Sequence, residues 1–269
     1  MRHTKKYLFI IVLLSSICLA DDDVEEVVVK ADWREAKLIE EDASTFILGQ
    51  SEIDSQPIKH FENISYLVPN LNFAASDSRA RYFQIRGIGE RSGYLGTPNS
   101  SIGFLIDDVD YSGQGGIATL FDVNQIEVIR GPQASRIGAN ALAGLIYITT
   151  NEPTNEFEGK SELSIGNYNT SSLGAAFGGP VTKDKTIKFR LAIRHDKSDG
   201  FRKNLYLNKS NTSRKDEKTL RLKIDFDLSE QSNSKLLLSR VDMDDPADIW
   251  TIDNSLNTCL LYTSDAADE

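Results

Sequence analysis

The sequence is poor in the residues that usually fix small exported folds or build catalytic centres. It holds two cysteines, three histidines, two tryptophans and two methionines in 269 residues. The cysteines, Cys18 and Cys259, stand near the two ends, so no disulfide framework is available and hydrogen bonding and burial must hold the chain. His60 and His195 are far apart with no cysteine nearby, which excludes a His/Cys metal site. Gly87-x-Gly89 is followed by Gly93, one residue too late for a dinucleotide fingerprint, and no hydrolase or transferase constellation is evident. The sequence therefore predicts no enzyme, no cofactor and no metal. A net charge of −10 argues against nucleic acid as a partner.

Long apolar runs are also scarce. Arg2, Lys5 and Lys6 precede an apolar run from Tyr7 to Leu14, with Cys18 and Ala20 placed for a cut before Asp21. Residues 1–20 read as a secretory signal peptide, too short and wrongly flanked for a mature membrane helix; an uncleaved anchor is the other reading. Elsewhere nothing approaches the roughly 18 apolar residues of a spanning helix, so any membrane crossing must use strands. At the far end, residues 259–269 read CLLYTSDAADE. They look like a translated sequencing adapter, which implies that the gene continues past Thr258; an ordinary loop is the alternative.

Between these ends the composition shifts twice. Residues 21–45 form an acidic leader with one apolar patch, Val27-Val28-Val29, too little to bury a core, and are expected to be mobile. Residues 46–152 are mixed, with apolar residues at Ile58, Phe61, Ile64 and Leu67 predicting a short helix stopped by Pro69-Asn70. Strand-like runs follow at Phe83 to Ile85, Gly103 to Ile106, Gln125 to Ile129 and Leu145 to Thr149. This predicts a small α+β domain. Asp107-Asp108 could suggest acid/base chemistry, but adjacent strand residues point to opposite faces, so a turn is the better reading.

After Pro153 the pattern becomes period two. Ile187, Phe189, Leu191 and Ile193 alternate with Lys188, Arg190, Ala192 and Arg194; Leu220 to Leu228 alternate with Arg221, Lys223, Asp225 and Asp227. Weaker candidates are Lys160 to Gly166, Ser171 to Gly178 and Ser234 to Val241. Short connections at Gly179 to Lys185 and Ser229 to Asn233 contrast with the long polar Asp196 to Glu217, as in a transmembrane barrel. A soluble β-sandwich also alternates. The charged face suits a wet lumen better than most solvent faces.

Three ordered segments then give a specific match: Ile85-Arg86-Gly87-Ile88-Gly89, Phe104-Leu105-Ile106-Asp107-Asp108-Val109, and QIEVIRGPQASRIGANALAGLIYITT from Gln125 to Thr150. Together they resemble the plug domain of TonB-dependent outer-membrane receptors, over about Val24 to Val241. Asp107-Asp108 stands where the family usually has Asp-Gly, and Pro69-Asn70-Leu71 where many members have Pro-Gly-Val.

The resemblance implies an α+β plug at 46–152 followed from 153 to 258 by the first strands, about five, of an antiparallel transmembrane β-barrel of about 22 strands. It implies an outer-membrane protein importing a scarce ligand, such as a ferric siderophore, or a glycan, cobalamin or haem. The partners would be TonB, the ligand and outer-membrane lipid.

Glu25-Glu26-Val27-Val28-Val29-Lys30-Ala31 looks like a TonB box, an extended segment that can add to a partner's sheet edge; a β-prone linker is the plainer reading. In the family, plug charges matching Arg86, Glu127 and Arg130, beside Gly87, Gly131 and Pro132, pair with barrel-wall carboxylates, which would here lie beyond Thr258. Arg79, Arg81, Tyr82, Arg91 and Tyr94 are candidates to face an anionic or aromatic cargo, or simply a solvated loop. Two other classes are a signal-relaying receptor, which needs a folded domain before the box, and a soluble exported β-rich binding protein.

Overall fold

A computed structural model of the chain describes residues 28–30, 36–37, 43–56, 59–75, 79–91, 99–133, 135, 138, 140–204, 208–229, 231–246, 251–253 and 260–262. The expected signal peptide, Glu25, Glu26, Val27, Ala31, Tyr94 and most of the adapter-like tail lie outside the described residues. Two short strands in the tail region pair antiparallel: β15 (Thr251–Asp253) and β16 (Leu260–Tyr262). No described helix is long and apolar enough to cross a membrane.

The N-terminal part is built on a five-stranded mixed sheet. Its strands are β3 (Ser44–Gly49), β6 (Ile102–Ile106), β7 (Val109–Asp110), β8 (Val123–Arg130) and β9 (Gly144–Thr150), in the order β3-β8-β9-β6-β7. Only the β6–β9 pair is parallel. Every residue of β9, GLIYITT, is buried, as a near-continuous apolar run requires when both sheet faces are covered. β6 and β7 are joined through Asp107 and Asp108, with φ of 48° and 66°. Both central residues of a tight hairpin turn are thus left-handed, a conformation that aspartate tolerates in place of the usual glycine.

One face of the sheet carries Leu48, Ile126, Val128, Ile146, Ile148, Ile102 and Phe104. It is covered by the chain from Ile53 to Ile85, which includes β4 (Leu71–Ala74) paired with β5 (Tyr82–Ile85). Phe61, Phe83 and Phe104 pack together, Phe61 edge-on to both partners at 4.9 and 5.3 Å. The helix expected around Ile58 to Leu67 is only a 3₁₀ turn, Phe61–Ile64. The three-residue spacing that suggested it is the 3₁₀ repeat itself, which seldom runs beyond a turn. The α-helix lies earlier, α1 (Gln50–Ser55), and buries only Ile53, too little apolar periodicity to read.

The opposite face carries Leu105, Ile129, Leu145 and Tyr147, and Val29 from the leader packs on it, fully buried. Val29 belongs to β1 (Val28–Val29), which pairs with β2 (Ala36–Lys37). Within the leader expected to be mobile, Val29 is thus seated on the sheet. One valine suffices because the four residues beneath it already present an apolar bed.

The C-terminal part is a five-stranded antiparallel meander: β10 (Glu158–Gly166), β11 (Thr170–Pro180), β12 (Ile187–Ser198), β13 (Lys215–Ser229) and β14 (Ser232–Met243), paired in chain order. The two clear alternating runs and the three weaker ones are all strands. Their outer face exposes Leu163, Ile165, Leu173, Phe177, Ile193, Leu220 and Leu238, an apolar band. Their inner face buries Ser172, Ala176, Arg190, Ala192, Arg194, Glu217, Arg221 and Lys223. Connections are short at 181–186 and 230–231 and long at 199–214, but 167–169, at the same end as the long loop, is also short. Asp199 and Tyr168 tie these two together, N–H to carbonyl at 2.9 Å.

Candidate functional site

The two parts meet along a seam where inner charges of the strands, Arg190 and Lys223 among them, find partners. Its centre is Asp122. Arg190 grips this carboxylate with two parallel bonds, Nε to Oδ2 at 2.8 Å and Nη2 to Oδ1 at 2.6 Å, and also meets Glu158. Asn151 donates to the same carboxylate at 2.9 Å. Burial would push the Asp122 carboxyl up; the bonds from Arg190 and Asn151 hold it below its ordinary value.

A second anchor uses the Asp107 turn. Its carboxylate accepts from Thr150 N–H (2.8 Å), the Thr150 hydroxyl (2.6 Å) and Lys223 Nζ (2.9 Å). Lys223 also donates to the Thr150 carbonyl (3.1 Å) and Glu152 (2.8 Å). Against the upward push of burial, the charges of Lys223 and Arg221 keep Asp107 ionised. Asp108 takes a bond from the Tyr147 hydroxyl at 2.9 Å. The departure from Asp-Gly at this turn thus adds a second carboxylate, Asp108, that the structure uses.

Contact at the seam also depends on small residues. Phe121 packs with Ala176 and Ala192, and the guanidinium of Arg194 lies over its ring at 5.3 Å. A methyl added at Gly174 would sit 2.7 Å from that ring. The inner positions Gly174 and Ala176 of β11 leave the room that Phe121 occupies.

At the end carrying the long loop, Arg79 is engaged rather than presented to a cargo. It pairs with Glu62 at 2.5 Å, with Glu217 of β13 and with Asp245 at 3.5 Å. A guanidinium this buried needs such partners, and this removes Arg79 from the cargo-facing candidates. Burial raises the Glu62 carboxyl but Arg79, His60 and Lys215 outweigh it, holding it at about 2. Beside it, burial and Arg79 lower His60 to about 3. Its geometry suits the neutral ring, with Nε2 donating to the Gly116 carbonyl (2.9 Å) and Nδ1 accepting from Glu62 N–H.

The other cargo candidates differ among themselves. Arg81 bonds the Gly113 carbonyl and lies over the Tyr82 ring at 5.4 Å; Arg91 is exposed. A cavity of about 870 Å³ opens nearby, lined by Tyr66, Phe73, Tyr168, Phe201, Arg202 and Lys215 among others. These aromatics were not among the residues singled out from sequence, because they come from four separate segments.

The residues expected to lock against a wall do not do so among the described residues. Arg130 Nη1 donates to Ser44, and Arg86 sits at a left-handed turn with φ of 54°, beside Gly87. Gly131, with φ of 122°, and Pro132 end β8. Glu127 is fully buried and accepts from Lys30 N–H at 2.8 Å and from the Gln125 amide at 2.9 Å. Other contacts join the two parts within the described residues. Several have the opposite polarity: carboxylates before the meander, cations on its strands.

The family described as TonB-dependent Receptor Plug Domain matches residues 37–145. Residues 37–145 thus carry the plug domain of TonB-dependent receptors. The mixed sheet is their plug, and the meander is the start of an outer-membrane barrel wall, open as described. The vitamin B12 transporter BtuB of Vibrio vulnificus is 34% identical over 89 residues, 33% of this chain and 14% of that protein. The ferripyoverdine receptor of Pseudomonas aeruginosa is 21% identical over 159 residues, covering 59% and 19%. Among solved structures, the ferric yersiniabactin uptake receptor FyuA of Yersinia pestis superimposes with a TM-score of 0.70 at 19% identity, over 82% of this chain and 35% of that one. The chain spans only 14% of the first of these curated relatives and 19% of the second. The ferripyoverdine receptor of the outer membrane of Pseudomonas aeruginosa has the same fold, with a TM-score of 0.67 at 16% identity.

Proposed function

We propose that the full-length protein imports a scarce ligand, most simply a ferric siderophore, across the outer membrane with energy delivered through TonB. The observation that carries this reading is a plug seated by buried ion pairs on a wall whose outer face is apolar. That arrangement blocks a pore while leaving polar contacts able to exchange one partner for another. Ligand would bind at the long-loop end, where Arg81, Tyr82 and Arg91 stand and the aromatic cavity opens. Glu25 to Ala31 would serve as the TonB box, and Arg86, Glu127 and Arg130 remain candidates for contact with later strands. Relatives named as receptors for ferripyoverdine and ferric enterobactin support the iron reading. The B12 transporter among the relatives supports a second reading, cobalamin.

The test expresses the full-length gene in a Gram-negative host lacking its own siderophore receptors. Radiolabelled iron uptake is expected under iron limitation, and Val28→Pro, which removes a main-chain donor, should abolish uptake but not ligand binding. Iron uptake that persists without TonB rejects energised import; cobalamin uptake with no iron uptake selects the second reading.

A further inference from the structure

The second face of the plug sheet contains an anomaly. Along β8 the residues on that face are Gln125, Glu127 and Ile129, and the bed around them is Leu105, Leu145 and Tyr147. Two polar residues there, one of them a carboxylate with no exposed surface, cost stability unless their polar atoms are bonded. Two bonds from this pair go to the leader. Glu127 Oε1 accepts from the main-chain N–H of Lys30 at 2.8 Å, and Gln125 Nε2 donates to the main-chain carbonyl of Val28 at 2.8 Å. A third bond, Gln125 Nε2 to Glu127 Oε1 at 2.9 Å, links the two side chains. Between the two gripped groups, Val29 is buried on the apolar bed.

We propose that Gln125 and Glu127 form a clamp that reads the leader's main chain and closes Val28–Lys30 onto the plug. The two side chains imitate a neighbouring strand, offering an acceptor to one N–H and a donor to the carbonyl two residues earlier, groups that lie on one side of an extended segment. A partner that captures this segment by strand addition needs the same main-chain groups. Clamp and partner are therefore mutually exclusive, and the clamp sets how often the segment is free. Glu127 acts here as a positioning residue for the leader. Only the identity of the partner rests on the import reading.

Hydrogen exchange on the full-length protein, resolved to the peptide carrying Val28–Lys30, tests the clamp. Glu127→Ala should speed exchange there about tenfold or more, the loss expected for one bond to a charged acceptor. Glu127→Gln keeps an acceptor oxygen and should stay within about threefold of the parent, with β8 and β9 amides equally protected in both. Unchanged exchange in the alanine variant, or equal acceleration by glutamine, overturns the clamp. Should Glu127→Ala unprotect β8 and β9 as well, half-buried Gln125→Ala decides, with several-fold acceleration expected and no change refuting.

The isolated periplasmic domain of TonB supplies the second readout. It should bind the alanine variant more tightly than the parent, and equal affinity rejects the competition. Exchange that responds while that domain binds neither protein leaves the clamp standing and removes the import reading.

Discussion

Plug and wall are both five-stranded, yet they handle charge in opposite ways. The plug sheet is largely apolar on both faces, and its fully buried carboxylate, Glu127, is hydrogen-bonded. The wall is apolar only outward, and its inner face presents Arg190, Arg194, Arg221 and Lys223 to the plug. A wall solvated by lipid outside can place its polarity only inside. Its inner cations are then buried by a plug that must bring the matching carboxylates. The comparison teaches that the seam belongs to neither part alone.

Arg190→Ala attacks the comparison hardest, because it leaves Asp122 buried without its two-pronged partner. We expect a loss of about 3–5 kcal/mol in plug seating, seen as a plug transition in denaturant separating from that of the barrel. One shared transition at the parent midpoint would show that the pair contributes nothing. Leu222→Arg probes the outward face of β13, next to inward Lys223, and should cost about 2–4 kcal/mol near mid-membrane. Barrel assembly in lipid vesicles measures it, and parent-like assembly would contradict the lipid-facing assignment.

A smaller effect comes from His60, which stays neutral down to about pH 3 while an unfolded histidine takes up its proton below about 6.5. Its contribution is complete above that pH and drains away as pH falls, by about 2 kcal/mol at pH 5. Plug stability followed from pH 7 to pH 5 should lose this slope in His60→Gln. At the far end of the scale, the exposed Arg240–Asp242 pair should be dispensable. Arg240→Ala is expected to leave the melting temperature of the folded receptor unchanged.

Much of this was legible in the sequence, for local reasons. Alternation identified β12 and β13 clearly because each buries positions on one face, and the other three wall strands more weakly. The glycine-proline run after Ile129 and the β9 run identified the plug. The α1 helix was invisible because Gln50–Ser55 presents a single buried apolar residue. The seam was invisible because its partners are remote: Asp122 and Arg190 are 68 positions apart, Asp107 and Lys223 are 116. Inner charges on the wall strands read equally well as solvated or paired, and only the fold decides. The seating of Val29 was not legible because three valines are too few to fold alone, whereas one of them is enough to fill a bed prepared 76 or more residues away. A glutamine and a glutamate on an otherwise apolar face of β8 were the available signal.

The Asp107 turn has a consequence for anyone recombining such receptors. Thr150 and Glu152, at the exit from the plug, and Lys223, in the fourth strand of the wall, share one bonded network with it. A chimera joined at the obvious boundary near Pro153 would separate Asp107 from Lys223 while looking seamless on paper. Plugs should transplant between receptors only when the matching positions on the third and fourth wall strands travel with them.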